Sequence, residues 1–226
     1  MPLAIFDLDN TLLAGDSDYL WGRFLVREGV VDGARYEAEN QRFYEEYRAG
    51  TLDIMEFLAF SLRPLAETDP GRLEALRRRF VAEEIRPVVA PAAPALLARH
   101  RERGDTLLII TATNRFVTEP IAGLLGVPHL LATEPEMVDG RYTGGVAGTP
   151  CFQEGKVKRL QEWLEHTGHT LDGASFYSDS HNDLPLLETV PRPVAVDPDE
   201  PLYHHAVRHG WPVISLREGP DVAREH

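Results

Sequence analysis

The chain has 226 residues, of which 43% are hydrophobic and 26% charged, and its formal net charge is −13. This length suits one domain or a core domain with a smaller insertion, and the hydrophobic content is enough to build a core. The acidic balance argues against nucleic acid and anionic membranes as partners, because both are themselves negatively charged.

The other global features indicate a cytoplasmic protein. The single cysteine, Cys151, rules out a disulfide within the chain and fits a reducing compartment. No apolar run approaches the roughly 20 residues of a membrane span, and the N-terminus does not resemble a signal peptide. We therefore expect a small-molecule partner rather than nucleic acid or a membrane, with a monomer and a homodimer both open.

The first predicted element is a buried strand over residues 2–8, which runs into the carboxylates of Asp7 and Asp9. Residues i and i+2 of a strand point to the same side, so the two carboxylates would converge on one centre. Converging carboxylates repel each other unless a cation or a shared proton relieves the repulsion. The alternative is a strand followed by a polar turn, with Asp9 and Asn10 as turn residues.

Hydrophobic residues recur at helical spacing between residues 15 and 80, where no strand pattern is present. Helices are predicted around residues 19–26, 34–49, 51–62 and 70–80. We therefore predict a helical cap of residues 15–81, inserted into a core formed by residues 1–14 and 82–226.

Predicted strands and helices alternate from residue 87 onward, which favours a parallel sheet. The strands are predicted at 106–111, 128–132, 174–178, 193–196 and 213–216, and the helices at 92–103, 118–125, 155–166, 183–189 and 204–209. An Asp139-Gly140 turn within residues 137–145 indicates a hairpin. The predicted fold class is α/β, with a doubly wound, mainly parallel sheet and an inserted, small all-helical cap.

Polar groups stand at the ends of three predicted strands and at the start of one predicted helix. They are Asp7-x-Asp9-x-Thr11, Thr111, Lys156, and the run Ser178-Asp179-Ser180-His181-Asn182-Asp183. Each has a common structural explanation, since such residues cap helices, form turns or face solvent. Together they favour a phosphoryl-transfer site, because the carboxyl ends of parallel strands meet at one edge of the sheet.

These residue types suit attack on a phosphomonoester. A hard cation such as Mg²⁺, held by the Asp7 and Asp179 side chains and the Asp9 carbonyl, would offset repulsion between the phosphate and an attacking anion. A carboxylate nucleophile would pass through an aspartyl-phosphate. The Thr111 hydroxyl and the Lys156 ammonium would hold the transferring oxygens.

The four motifs, in this order and context, resemble motifs one to four of the haloacid dehalogenase superfamily. The helical insertion after the first motif resembles the cap of its phosphoserine-phosphatase-like branch. The resemblance implies a phosphatase or phosphotransferase in which Asp7 is the nucleophile and Asp9 is the general acid and then the base. It further implies that Thr111, Lys156 and Asn182 bind phosphate, that Asp179 binds Mg²⁺, and that Asp183 supports the metal site.

Two cap positions bear on the substrate. Asp16 stands where phosphoserine phosphatases carry an acidic residue that binds the substrate amine, although a helix N-cap would explain it equally well. By position in the third cap helix, Ala59 replaces their carboxylate-binding arginine and offers no bidentate contact, unless Arg42, Arg48 or Arg63 serves instead. An amino-alcohol phosphate without a carboxylate fits better. Because bacterial relatives in this branch include histidinol-phosphate phosphatases, L-histidinol phosphate is the lead substrate.

Other functions remain open. Phosphoserine could still be the substrate, or the phosphoryl group could pass to an acceptor alcohol instead of water. A catalytically silent binding protein on the same fold is a further alternative, against which the intact Asp7, Asp9, Lys156, Asp179 and Asp183 argue. A receiver domain would not place its phosphorylated aspartate on the first strand with a helical cap after it.

Overall fold

A seven-stranded sheet forms the centre of the protein, with strand order β4-β3-β2-β1-β5-β6-β7 in the computed structural model, which describes residues 1–218. The strands are β1 (Leu3–Phe6), β2 (Thr106–Asn114), β3 (His129–Val138), β4 (Arg141–Ala147), β5 (Ser175–Ser178), β6 (Arg192–Val196) and β7 (Val213–Ile214). All neighbours pair in parallel except β3 and β4, which form the predicted hairpin. The α/β fold class with a mainly parallel sheet is therefore confirmed.

The helices flank the sheet or lie between β1 and β2. They are α1 (Ser17–Arg27), α2 (Gly33–Ala49), α3 (Ile54–Ser61), α4 (Arg63–Glu67), α5 (Pro70–Phe80), α6 (Ala93–Glu102), α7 (Arg115–Leu125), α8 (Glu154–Thr167), α9 (Leu184–Leu187) and α10 (Glu200–His209). Short helical turns cover Leu8–Leu12, Val81–Ile85, Arg86–Val88 and His181–Asp183.

Both faces of the sheet are buried, which explains the continuous apolar runs of β1 and β2. Along β1, Ala4 and Phe6 pack with α6 and α7 on one face, whereas Leu3 and Ile5 pack with α8, α9 and α10 on the other. Alternation of side chains along a strand supplies both cores from one short segment. This two-sided packing is the doubly wound arrangement.

Helices α1 to α5 form the helical insertion, and no strand occurs within it. Aromatic side chains join it to the sheet domain: the ring of Trp21 lies 5.1 Å from that of Phe80 and 5.8 Å from that of Phe116 in α7. The chain enters and leaves the insertion side by side, because Leu13 and Val89 form an antiparallel bridge. The insertion thus has two adjacent connections to the core. Residues 219–226, which the sequence analysis assigns to the core, lie outside the described residues.

The structure differs from the sequence prediction at several element boundaries and by one additional helix. The first strand ends at Phe6 rather than at residue 8, and the next residues form a wide turn in which Asn10 has a left-handed φ of 55°. The strand that was expected to end at Thr111 continues to Asn114. A short helix, α4, begins at Arg63, because Pro64 fits the first turn of a helix, where its missing N–H has no partner to lose.

In the described part of the chain, no helix is both long and apolar enough to cross a membrane.

Candidate active site

Lys156 lies at the centre of a buried group of charges. It belongs to the first turn of α8, and its Nζ atom is 2.7 Å from Asp7 Oδ1 and 2.7 Å from Asp183 Oδ1. Burial lowers the pKa of Lys156, but the two carboxylates outweigh this effect and hold the pKa above its usual range. Lys156 is therefore a fixed cation between the end of β1 and the loop after β5.

Asp183 is held on two sides. Besides the Lys156 ion pair, Ser178 Oγ donates a 2.6 Å hydrogen bond to Asp183 Oδ2. Ser178 is the last residue of β5, so the strand and the following loop are tied together directly behind Lys156. Asp183 thus orients the lysine; its support of a metal site stays a prediction.

Asp7 is the first residue after β1, and its N–H donates to the Tyr177 carbonyl at 2.9 Å. Burial raises the pKa of the Asp7 carboxyl to about 7 against the lowering effect of Lys156, and the charges of Asp183 and Asp9 raise it further. Lys156 bonds to Oδ1. The second oxygen, Oδ2, remains for a substrate or a cation.

The wide turn, rather than strand alternation, places Asp9. Because β1 ends at Phe6, the expectation that Asp7 and Asp9 share one side of a strand is wrong. The turn directs Asp9 toward the start of α1 and the end of β2. There Asp9 accepts a 2.6 Å hydrogen bond from the Ser17 N–H and a 2.8 Å hydrogen bond from Thr113 Oγ1. The two carboxylates therefore have different partners: an ammonium for Asp7, and neutral donors for Asp9.

Burial raises the pKa of the Asp9 carboxyl above its usual range, and the hydrogen bonds from Ser17 and Thr113 oppose this shift. Thr111 Oγ1 lies 3.5 Å from Asp9 Oδ2 and accepts a hydrogen bond from the Thr113 N–H. A carboxyl group whose pKa is raised toward neutrality can hold a proton and later accept one.

Asp179 follows β5 directly, and Thr11 Oγ1 donates to its Oδ1 at 2.8 Å. Thr11 thereby links the first motif to the fourth across 168 residues of sequence. Burial raises the pKa of Asp179 well above its usual range, and the negative charge of Asp7 adds to this. Buried carboxylates whose negative charges act on one another in this way are stabilised by a nearby cation.

These oxygen donors fit Mg²⁺. One oxygen of each carboxylate, Asp7 Oδ1 and Asp179 Oδ1, is held by a protein donor, which leaves the other for a cation. Within residues 1–218, no three His, Cys, Asp or Glu side chains are grouped as a metal site. An ion here would take two carboxylates, a carbonyl and water, and Mg²⁺ commonly retains several waters.

Asn182 connects the fourth motif to the helical insertion. Its Nδ2 donates to the Tyr47 carbonyl at 3.1 Å and to Ser180 Oγ at 3.2 Å, and its Oδ1 accepts from Gln153 Nε2 at 3.0 Å. Because both amide hydrogens are engaged, a phosphate contact from Asn182 requires one of these bonds to open. Its phosphate-binding role stays a prediction.

A cavity lies beside Asp7 and Asp9, between the sheet edge and the helical insertion. Its acidic lining consists of Asp7, Asp9, Asp16 and Asp18, and its aromatic lining consists of Tyr19, Phe43, Tyr44, Tyr47, Phe57 and Phe152. No lysine or arginine of the described chain is among the residues that line it. The cavity therefore suits a ligand that is cationic and partly aromatic.

The sequence left open whether Asp16 caps a helix or belongs to a binding site, and in the structure it both caps α1 and lines the cavity. Its Oδ1 caps α1 by accepting from the Tyr19 N–H at 2.8 Å, and the side chain also lines the cavity. Ala59 is exposed on α3, away from the lining, and Arg42 is engaged by Glu39, Glu46 and Glu56. Arg48 and Arg63 are also exposed and do not line the cavity.

Sequence reasoning missed three residues that the structure brings into the site: Ser17, Asp18 and Thr113. Thr113 was detectable in principle, since the Thr-Ala-Thr-Asn run after the apolar residues of β2 is itself polar. Ser17 and Asp18 give no local signal, because a Ser or Asp at the start of a helix is usually a cap.

Fold and site together define an α/β enzyme that acts on phosphate esters. The family model of haloacid dehalogenase-like hydrolases matches residues 4–188, and the chain belongs to this family. A histidinol-phosphatase of Neisseria meningitidis serogroup C (strain 8013) is 46% identical, with 95% of this chain and 99% of that protein aligned. A phosphoserine phosphatase of Mycobacterium tuberculosis (strain ATCC 25618 / H37Rv) is 29% identical over 98% of this chain and 73% of its own length. The protein is therefore a phosphatase.

Solved structures share this fold. A Bordetella pertussis Tohama I protein of unknown function has a TM-score of 0.90 at 46% identity, covering 95% of this chain and 98% of that one. A substrate-bound phosphoserine phosphatase has a TM-score of 0.70 at 18% identity, covering 96% and 93% of the two chains. The second similarity shows the shared fold.

Proposed function

We propose that the protein hydrolyses an amino-alcohol phosphate, with L-histidinol phosphate as lead substrate, in a Mg²⁺-dependent reaction through an aspartyl-phosphate. The observation that carries this proposal is the cavity next to Asp7 and Asp9, which is lined by carboxylates and aromatic rings and by no basic side chain among the described residues. A phosphatase relative that is 46% identical and is named for histidinol phosphate supports the choice of substrate.

In the proposed reaction, an Asp7 carboxylate oxygen attacks phosphorus while the bond between phosphorus and the ester oxygen breaks. Asp9 gives its proton to the departing alkoxide, so the alcohol leaves neutral. Asp9 then takes a proton from water, whose oxygen attacks the aspartyl-phosphate and releases inorganic phosphate and free Asp7. Lys156 and Thr111 hold the phosphoryl oxygens during both steps.

The site fits a divalent cation, which Asp7, Asp179 and the Asp9 carbonyl would hold. When bound, Mg²⁺ would offset the repulsion between the phosphate dianion and these carboxylates. Thr11 orients Asp179 for this role through its 2.8 Å hydrogen bond, and Asp183 keeps Lys156 beside Asp7.

The cavity chemistry selects the leaving group. L-Histidinol phosphate has an ammonium group and an imidazole ring but no carboxylate. Asp16 would bind the ammonium, and Tyr19 and Tyr44, whose ring centroids are 4.9 Å apart, supply aromatic surface for the imidazole. Phosphoserine would place its own carboxylate in this cavity, whose described lining has no basic side chain. Burial of that unpaired carboxylate would cost free energy of binding.

The helical insertion would act as the cap of residues 15–81 that covers the site and excludes water. The contact between Asn182 and the Tyr47 carbonyl supports this role, because it joins the insertion to the fourth motif. In this proposal the core consists of residues 1–14 and 82–226, and the enzyme works in the cytoplasm on a free small molecule.

The test is phosphate release from L-histidinol phosphate, phosphoserine and a generic aryl phosphate, each with Mg²⁺ and with excess chelator. We expect the highest kcat/KM for histidinol phosphate, and loss of at least about 10³-fold in Asp7→Asn, which lacks the nucleophile. Faster turnover of phosphoserine would reject the substrate. Full activity in excess chelator would reject the Mg²⁺ dependence. Product analysis with added acceptor alcohols would reveal any transfer of the phosphoryl group to an alcohol instead of water.

A further inference from the structure

Asp18 is a buried carboxylate that no donor among the described residues contacts. It lies in the first turn of α1, is 8% exposed and lines the cavity. Its side chain has no hydrogen bond or ion pair with residues 1–218. The neighbouring carboxylates differ in this respect: Asp16 accepts from the Tyr19 N–H, and Asp9 accepts from Ser17 and Thr113.

A buried carboxylate of this kind is unfavourable in the free protein. Transfer of a charged group out of water is costly unless a cation or hydrogen-bond donors replace the lost hydration. Burial raises the pKa of Asp18 well above its usual range, and the charges of Asp16 and Asp9 raise it further. Since the side chain faces a cavity, a ligand can supply the missing partner.

Asp18 lies at the start of α1, close in the chain to Asp16. Asp16 is the N-cap of this helix, the Ser17 N–H donates to Asp9, and Asp18 lies in the first helical turn. Asn40 and Phe43 of α2 line the same cavity, so residues of α1 and α2 share its lining with these carboxylates.

We propose that Asp18 determines specificity by binding a second nitrogen of the leaving group, beyond the amine that Asp16 binds. This inference rests on the proposed function. In histidinol phosphate the amine is on the carbon next to the ester-bearing carbon, and the imidazole is one methylene further away. Asp16 and Asp18 both line the cavity, so two carboxylates are available for the two nitrogen groups, the ammonium and the imidazole N–H.

A matched pair of substrates isolates this contact. The phosphate ester of L-phenylalaninol keeps the amine and replaces the imidazole with a phenyl ring, so it offers Asp18 no donor. We expect the wild-type enzyme to favour histidinol phosphate over this analogue by roughly tenfold or more in kcat/KM, the size of one charged hydrogen bond. Asp18→Asn should lose most of this preference, and Asp16→Asn should lower kcat/KM for both esters.

Binding of the product alcohols gives a second readout that is independent of turnover. Calorimetric titration should show that histidinol binds the wild-type protein roughly tenfold more tightly than phenylalaninol, and that Asp18→Asn removes this difference. Folding of the variant is checked by its melting temperature without ligand, which should be equal to or above that of the wild type because an unpaired buried carboxylate is gone.

The outcomes separate this inference from the proposed function. If the wild type prefers phosphoserine to histidinol phosphate, the proposed function fails and this inference fails with it. If histidinol phosphate is preferred but folded Asp18→Asn keeps the wild-type ratio between the two esters, only the role of Asp18 is overturned. A wild type that does not distinguish the two esters also overturns it.

Discussion

The side-chain amide of Asn182 donates a 3.1 Å hydrogen bond to the backbone carbonyl of Tyr47. The two residues are 135 positions apart, one in the loop after β5 and the other near the end of α2. This bond joins the helical insertion to the segment that also carries Asp179 and Asp183, so we expect movement of the insertion to be coupled to the order of that segment.

Asn182→Ala should loosen the insertion, because it leaves the Tyr47 carbonyl without this donor. We expect faster hydrogen exchange at the end of α2 and a fall in kcat/KM of roughly 5- to 100-fold, the range for one lost hydrogen bond at a buried group. Gln153→Ala is the control, since it removes the other partner of Asn182 and keeps the Tyr47 bond. Equal exchange in both variants would contradict the proposed connection.

Lys156→Met should lower the free energy of unfolding by about 3–5 kcal/mol, because it leaves Asp7 and Asp183 buried without their shared cation. The matched control is Lys158→Met on the same helix, whose lysine is mostly exposed and lies 4.0 Å from Glu162. An exposed pair of that kind contributes about 0–1 kcal/mol. Urea denaturation in chelator measures both, and similar losses would show that the buried bridge does not stabilise the fold.

The carboxyl group of Asp16 makes the stability of the fold depend on pH, and its raised pKa fixes the direction of that dependence. Burial and the charge of Asp9 raise the pKa of its carboxyl to about 7 in the folded protein, against 3.8 for an unperturbed group. Between these values the folded state holds a proton that the unfolded chain has released, so this group's contribution to stability falls as pH rises.

Asp16→Asn cannot titrate and still offers an N-cap oxygen to α1. We therefore expect the variant to gain stability relative to the wild type as pH rises from about 4 to about 7, with little difference near pH 4. Asp53→Asn, at the exposed N-cap of α3, controls for an amide in a capping position. Denaturation in chelator at several pH values tests this, and a difference that does not grow with pH would contradict it.

Gly50 and Gly29 form a matched pair for the contact between the insertion and His181. Both have left-handed backbone, with φ of 70° and 62°, so alanine costs about 1–2 kcal/mol at either position. Only at Gly50 would an added β-carbon also clash with the sheet domain, because it would lie 2.5 Å from His181 Nε2.

Gly50→Ala should therefore destabilise the protein more than Gly29→Ala and also lower kcat/KM, because His181 must move and it adjoins Asn182. At Gly29 a β-carbon meets nothing within 4 Å, so we expect a loss of stability with nearly normal kinetics. Thermal melts and steady-state kinetics of the two variants test this, and indistinguishable kinetic effects would refute it.

Much of the fold was predictable because its signals are local. The apolar run from Leu107 to Ile110, the helical spacing between residues 15 and 80, and the Asp139-Gly140 turn each reflect a preference that neighbouring residues impose. The boundaries were less predictable. Thr111 and Asn114 lie on one strand because pairing with β3 extends it, and nothing within β2 itself indicates that pairing.

The order of the polar groups along the chain was enough to indicate the chemistry. Asp7 and Asp179 each follow a buried strand, and parallel strands bring such residues to one edge of the sheet. The sequence by itself therefore determined the fold class and the kind of reaction that the protein's family performs, and it predicted Asp7 as the nucleophile.

Only the tertiary structure decided how these groups are partnered. The sheet order places β1 between β2 and β5, which brings Lys156 to Asp7 and Thr11 to Asp179. The wide turn after β1 directs Asp9 to Ser17 and Thr113, and the packing of α1 against α2 buries Asp18 in the cavity without a hydrogen-bond partner in the described part of the chain. These contacts join residues far apart in the chain, and periodicity shows which face of an element is apolar but not which other element will cover it.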